Sequence, residues 1–129
     1  MDFIKNSQTW LCKIDIMDDC LITEIRNFVA DHYHSKPGFQ EPRHGHNWKI
    51  EATVEKDELI QLGSIMDIWT EQLDYSLLND QADLLNRNPT AEVIAEHLFH
   101  YLEAVGLKIV EVRAREKTRY WAACCPDTK

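Results

Sequence analysis

HGHNWKIEATVE, residues 44–55, decides how this chain folds. From His46 onward, Trp48, Ile50, Ala52 and Val54 alternate with Asn47, Lys49, Glu51, Thr53 and Glu55. A repeat of two belongs to a strand, so the segment predicts one buried face and one wet face. If residues 44–46 lead into that strand, His44 and His46 point to one side, and Gly45 leaves room for close approach. Catalytic zinc sites commonly take three protein ligands and keep one position for water or substrate, so a third imidazole is looked for nearby. His32 and His34, on the preceding segment, both compete for that place by parity.

Upstream, Ser35 to Arg43 contains Pro37-Gly38 and Pro42 and reads as a loop, since proline fixes φ and discourages regular pairing. Cys20 to about His34 reads as a strand with both faces partly covered: Leu21, Ile25 and Val29 share one parity, and Ile22, Phe28, Ala30 and His32 the other. Trp10, Cys12, Ile14 and Ile16 alternate as well, which predicts an extra strand within an N-terminal extension, residues 1–19, before a turn at Asp18-Asp19.

Downstream, a short helix is expected between Asp67 and Leu78, with Ile68, Leu73 and Leu77 available for packing. A better-marked helix follows. Asn88-Pro89-Thr90 offers a polar cap and a proline suited to the first turn, and Glu92 complements the positive end of the dipole. Ile94, Leu98, Tyr101, Leu102 and Val105 form its apolar stripe and Gly106 ends it. Val110, Val112 and Ala114 then alternate with Glu111, Arg113 and Arg115, and Glu116 falls on the apolar parity, an odd place for a carboxylate. Arg119 to Cys125 pairs with that strand as a hairpin around Lys117-Thr118. The order predicts one α+β domain over residues 1–129: an antiparallel sheet with two helices on one face, plus the extra N-terminal strand.

Composition narrows the function. The chain has 129 residues, 44% of them hydrophobic and 28% charged, enough for one domain with a real core. A net charge of -8 leaves no basic stripe for a phosphate backbone, which argues against nucleic acid and leaves small molecules open. The longest apolar run, Tyr120 to Cys125, is far too short to span a membrane, and Met1-Asp2-Phe3 lacks the features of a signal peptide, so a cytoplasmic location is expected. Cys12, Cys20, Cys124 and Cys125 form no C-x-x-C pair and read as reduced core thiols. His97 and His100 share a helix face and read as surface or interface residues. Gly38, His44, His46 and Glu51 have the spacing of a cupin signature, but parity sends Glu51 to the face opposite His46. The long helix near the end does not suit a small jelly roll either.

From about Ile25 to Tyr120 the sequence resembles the 6-pyruvoyltetrahydropterin synthase family. The resemblance is carried by Phe28-Val29-Ala30-Asp31-His32, His44-Gly45-His46-Asn47-Trp48, Ile65-Met66-Asp67, Leu73-Asp74, Leu78-Asn79, Asn88-Pro89-Thr90-Ala91-Glu92 and Glu116. It implies the tunnelling fold (T-fold), a homo-hexamer built as a dimer of trimers with active sites between subunits, and zinc as cofactor. It also implies His32, His44 and His46 as zinc ligands, Glu116 as the anchor of a pterin ring, and Thr90 as a further substrate contact. A carboxylate can accept the two parallel donors of a pterin's 2-amino group and ring N–H, which suits Glu116. Two positions depart from the usual pattern. Gln40 stands where the family places a catalytic cysteine, and Asp74-Tyr75 where it places an Asp-His pair. Glu41-Pro42-Arg43-His44-Gly45-His46 instead resembles the E-x-x-H-G-H variant, which cleaves the dihydroneopterin side chain to 6-hydroxymethyl-dihydropterin. That resemblance implies Glu41 as general base, with Asp74 and Tyr75 in the remaining catalytic positions. A 6-pyruvoyl- or 6-carboxy-tetrahydropterin synthase and a non-catalytic zinc- or pterin-binding paralogue are the alternatives.

Overall fold

The structure, a computed structural model, describes residues 2–4, 20–55, 59–84 and 87–126. Its strands are β1 (Asp2–Ile4), β2 (Leu21–Lys36), β3 (Phe39–Glu55), β4 (Ser76–Leu77), β5 (Ile109–Lys117) and β6 (Tyr120–Cys125). Its helices are α1 (Leu59–Leu73) and α2 (Ala91–Ala104), with single 3₁₀ turns at Leu78–Asp80 and Ala82–Leu84. They form one six-stranded sheet in the order β1-β6-β5-β3-β2-β4, antiparallel except where β4 runs parallel to β2. The expected strand over Trp10–Ile16 and its turn lie outside the described residues. The N-terminal strand that is seen, Asp2–Ile4, pairs with β6 on the outer edge.

The alternation from His46 to Glu55 buries as expected, with Trp48, Ile50, Ala52 and Val54 all 0% exposed. Phe28 stacks on Trp48 at 5.9 Å between ring centroids, and Trp69 meets Phe28 edge-on. Both helices cover this face. The helix placed at Asp67–Leu78 instead runs from Leu59 to Leu73. Its buried stripe is Leu62, Met66, Trp69 and Leu73, at steps of four, three and four, whereas Ile68 is exposed. Arg26 on β2 fastens the helix down, donating to Asp67 at 2.5 Å and to the Gly63 carbonyl at 3.2 Å.

α2 begins at Ala91 with Thr90 as its N-cap, the hydroxyl accepting from the Val93 N–H, so Pro89 precedes the cap and is not in the first turn. Its C-terminus is a Schellman turn. Gly106 takes φ +93°, its N–H bonds to the Glu103 carbonyl and that of Leu107 reaches the Leu102 carbonyl. Val105 is exposed there, so the apolar stripe ends at Leu102.

The expected loop at Ser35–Arg43 is a hairpin. Only Pro37 and Gly38 turn, with Gly38 at φ +86°, and β3 starts at Phe39. Pro42 is accommodated because the ladder breaks beside it. His32 pairs with His44 but His34 with Glu41, so Pro42 and Arg43 together oppose Tyr33 alone, which is a β-bulge. β5 has two bulges of its own, at Val110 and at Glu116, each the extra residue between successive pairs. Glu111, expected on the wet face, is buried among Thr23, Thr53 and Arg113, so the uncovered face of the sheet is not uniformly wet. Cys124 and Cys125 are buried in β6 as expected, while Cys20 is exposed and not a core thiol. No helix among the described residues is long and apolar enough to cross a membrane.

Candidate metal centre and active site

The register of β2 against β3 builds the site. His32 lies directly opposite His44, and Ala30 opposite His46, so His46 stands diagonally across from His32 on the same face. The ring centroids are 4.5 Å apart for His32 and His44, 5.0 Å for His32 and His46, and 4.7 Å for His44 and His46. One donor atom from each falls within 4.8 Å of the others. His32 is 0% exposed, at the floor of the cluster.

The outer hydrogen bonds fix the tautomers. His32 Nδ1 lies 2.7 Å from the Pro89 carbonyl and His44 Nδ1 2.7 Å from the Pro42 carbonyl. A carbonyl only accepts, so each Nδ1 carries a proton, and in the neutral ring each Nε2 presents a lone pair. Those two Nε2 atoms face each other at 3.0 Å. Two lone pairs at that distance repel unless a cation stands between them. His46 Nε2 is buried without a hydrogen-bond partner, a third donor aimed at the same point. The residues therefore fit a zinc ion, or another cation that imidazole suits. Burial holds the His32 and His46 imidazoles below the ordinary histidine range, with the Pro89 carbonyl and Glu116 opposing this at His32, and His44 and Lys117 adding to it at His46. Burial thus favours the neutral form of both rings.

Two carboxylates flank the imidazoles. By plain alternation Glu41 would face away from His44, but the extra residue at Pro42–Arg43 reverses the parity. Its Oε1 lies 3.6 Å from His44 Nε2 and 3.4 Å from His34 Nε2. Glu116, on the β5 bulge, sits 3.8 Å from His32 Nε2 and 3.9 Å from His46 Nε2. A cavity of about 560 Å³ opens over the cluster, lined by Glu41, His44, His46, Thr90, Glu116 and Tyr120 among others. That is the size of a small-molecule site.

Thr90 reaches this cavity as the N-cap of α2, whereas Asp74 and Tyr75 do not line it. Asp74 Oδ1 accepts from the Val29 N–H at 2.9 Å, on the edge of β2. Tyr75 is 84% exposed and left-handed at φ +57°. Neighbouring polar residues do similar edge work: Asn79 bonds both the N–H and the carbonyl of Tyr33, and Asn88 accepts from the Ser35 N–H. Gly45 faces Asp31, whose Oδ1 would lie 2.6 Å from any added Cβ. The close approach is thus from a side chain that also pairs with Arg43. Glu51, the cupin candidate, is on the other face near Arg113.

Two cavity residues, Lys117 and Tyr120, have no site role in the sequence reading, and a third, His34, enters it only as a rival ligand. The buried parity of His34 with His32 was the available signal. Lys117 and Tyr120 flank the β5–β6 turn beside Glu116, and burial, followed by donation of its hydroxyl to Glu92, raises the Tyr120 pKa. His97, expected at the surface, accepts from Trp69 Nε1 at 2.9 Å and lies 3.3 Å from Asp83.

Fold and site together define a T-fold α+β domain with a three-histidine cavity beside two carboxylates. The chain belongs to the 6-pyruvoyl tetrahydropterin synthase family, whose model matches residues 21–126, so its chemistry is pterin processing of the tetrahydropterin synthase kind. The Caenorhabditis elegans 6-pyruvoyl tetrahydropterin synthase structure is similar at a TM-score of 0.70 and 15% identity, over 88% of this chain and 100% of that one. The Plasmodium falciparum enzyme is similar at 0.61 and 14%, over 82% and 96%. The Plasmodium vivax enzyme gives 0.56 and 17%, over 85% and 100%. At such identities these likenesses speak for the fold. The comparison with curated proteins returns no match.

Proposed function

We propose that this chain is a zinc-dependent lyase that cleaves the side chain of dihydroneopterin, free or as its triphosphate, to 6-hydroxymethyl-dihydropterin. The observation that carries the reading is the bulge at Pro42–Arg43, which delivers Glu41 to the imidazole cluster where the usual cysteine is replaced by Gln40. A Plasmodium vivax relative has been solved as catalytic-residue mutants in which a glutamate becomes alanine or cysteine, which supports a carboxylate in that part.

His32, His44 and His46 would hold the ion, with Pro89 and Pro42 fixing two of the rings. Zinc bound there supplies Lewis acidity, which favours loss of a proton from a side-chain hydroxyl. Glu41 takes that proton, and the oxygen becomes the carbonyl of the departing fragment as the adjacent carbon–carbon bond breaks. The electron pair of that bond passes toward the ring and is quenched by a proton at the carbon left behind. Glu116 accepts the parallel donors of the pterin and so fixes the side chain's direction, and Thr90 lines the same cavity. Asp74 and Tyr75 enter this reading only as groups offered to a neighbouring copy in a hexamer, since their own chain turns them to the β2 edge.

The test is incubation with dihydroneopterin triphosphate and identification of the product. Hydroxymethyl-dihydropterin is expected. Finding 6-pyruvoyl- or 6-carboxy-tetrahydropterin in its place rejects the cleavage and favours a synthase, and no turnover by metal-loaded protein favours the binding paralogue.

A further inference from the structure

His34 is a fourth imidazole at this centre and, like His32, a buried one, its side chain 2% exposed and its ring 4.7 Å from that of His32. The bulge sets it directly opposite Glu41. Donor atoms of His32, His34 and Glu41 lie within 4.8 Å of one another, a second potential ligand set that shares His32 with the first. Four donors held about 2.1 Å from one ion in a tetrahedron lie about 3.4 Å apart. The separations found here, 3.0 Å between His32 and His44 and 3.6 Å between Glu41 and His44, bracket that edge. With its other nitrogen donating to Pro42, the neutral His44 ring presents a lone pair to Glu41. A carboxylate oxygen facing a lone pair is a repulsive arrangement that a shared cation relieves. Glu116 stands farther off, at 3.8 and 3.9 Å from its two imidazoles.

We propose that Glu41 is a fourth protein donor to the ion in the substrate-free protein, and that His34 is the positioning residue that holds its carboxylate there. This rests on the zinc reading above. The centre is then closed at rest by its own side chains, and Glu41 is released from the ion before it acts as a base. Three imidazoles alone leave an open position; here the chain fills it.

Cobalt(II) in place of zinc reports coordination through its d–d absorption. Wild type, Glu41→Gln, His34→Phe, His34→Gln and Glu116→Gln are each titrated with cobalt(II) alone, with affinity from competition with a chelator and folding checked by circular dichroism. Wild type is expected to show the intense bands of four-coordinate cobalt. Glu41→Gln should weaken those bands and bind about 10–100-fold less tightly, the scale of losing a supporting group at a metal site. His34→Phe should shift the spectrum part-way, His34→Gln should restore much of it, and Glu116→Gln should leave it unchanged. A Glu41→Gln spectrum and affinity equal to wild type overturns the inference while the three-histidine centre stands, as does a change confined to Glu116→Gln. Wild type that takes up no cobalt and no zinc overturns the zinc reading, and this inference with it.

Discussion

Single side chains at the centre differ in what their loss should remove. Replacing His44 with alanine deletes a proposed zinc ligand whose Nε2 faces His32 at 3.0 Å, so zinc content measured by atomic emission should fall from about one per chain toward zero. Glu41→Gln keeps the shape and removes the proposed base, so kcat should drop by about 10²–10⁴-fold with the fold intact, as proton-transfer groups generally show. A kcat within about threefold of wild type would assign the base elsewhere. The buried imidazoles also make the metal-free protein pH-sensitive. Both His32 and His46 titrate lower when folded than the ordinary value of 6.5, chiefly through burial. Above that value both states are neutral and neither ring contributes; below it the unfolded chain takes up protons that the folded chain resists. Stability to urea should therefore fall as pH drops from about 7 to about 5, with a smaller slope in His46→Gln. A slope unchanged by that substitution would remove His46 from the account.

Elements decide which of these side chains meet, and here the bulges matter more than the strands. Deleting Arg43 removes the extra residue in β3 and restores even pairing, so Glu41 should turn to the opposite face while His44 and His46 keep theirs. The expected product is a folded protein that still binds zinc and has lost turnover; full activity in the deletion would sink the bulge as the device that delivers the base. This also marks how far the sequence could be read. Strand β3 was legible from Trp48 to Val54 because one-sided burial imposes strict alternation, and α2 from its apolar stripe and Gly106 stop, although its cap is Thr90 and Pro89 lies outside the first turn. The hairpin at Phe39–Arg43 was not, since proline argues against a strand and only the partner's register shows that Pro42 sits at a break. α1 starts earlier than expected, since Leu62, Met66, Trp69 and Leu73 carry a helical spacing, whereas Ile68 and Leu77 extend an apolar pattern downstream and neither is fully buried. The clustering of His32, His44 and His46 was legible as a pattern, but the approach of Glu41 to His34 depended on a register that no local signal reports. Asp74, Asn79 and Asn88 carried the family resemblance, yet in this chain they bond the backbone edge of β2.

At the scale of the whole molecule, the sheet has one face beneath α1 and α2, and the other carries exposed Ile25 and Val29 beside charged neighbours. β2 forms an edge that β4 pairs only at Ala30 and Asp31. Side chains cover the stretch from Val29 to Ser35, which leaves the Leu21–Phe28 half with no strand beyond it among the described residues. An uncovered strand edge with apolar side chains above it is a surface on which another copy can add its own strand. Exposed Tyr75 lies beside that edge, its N–H bonded to the Val29 carbonyl, so association there would bury it. We propose that this edge serves assembly into the hexamer that the family resemblance implies. Light scattering should give a mass about six times the 15.1 kDa chain. Arginine for Val29 places a charge on the joining face without touching the core, since that side chain is 39% exposed in one chain. Val29→Arg should lower the mass to smaller species and reduce turnover in proportion, while the isolated chains keep their circular dichroism and bind zinc through His32, His44 and His46. A Val29→Arg protein that remains fully assembled would place the contacts on another face, and a wild-type mass of a single chain would confine the active site to the one cavity described.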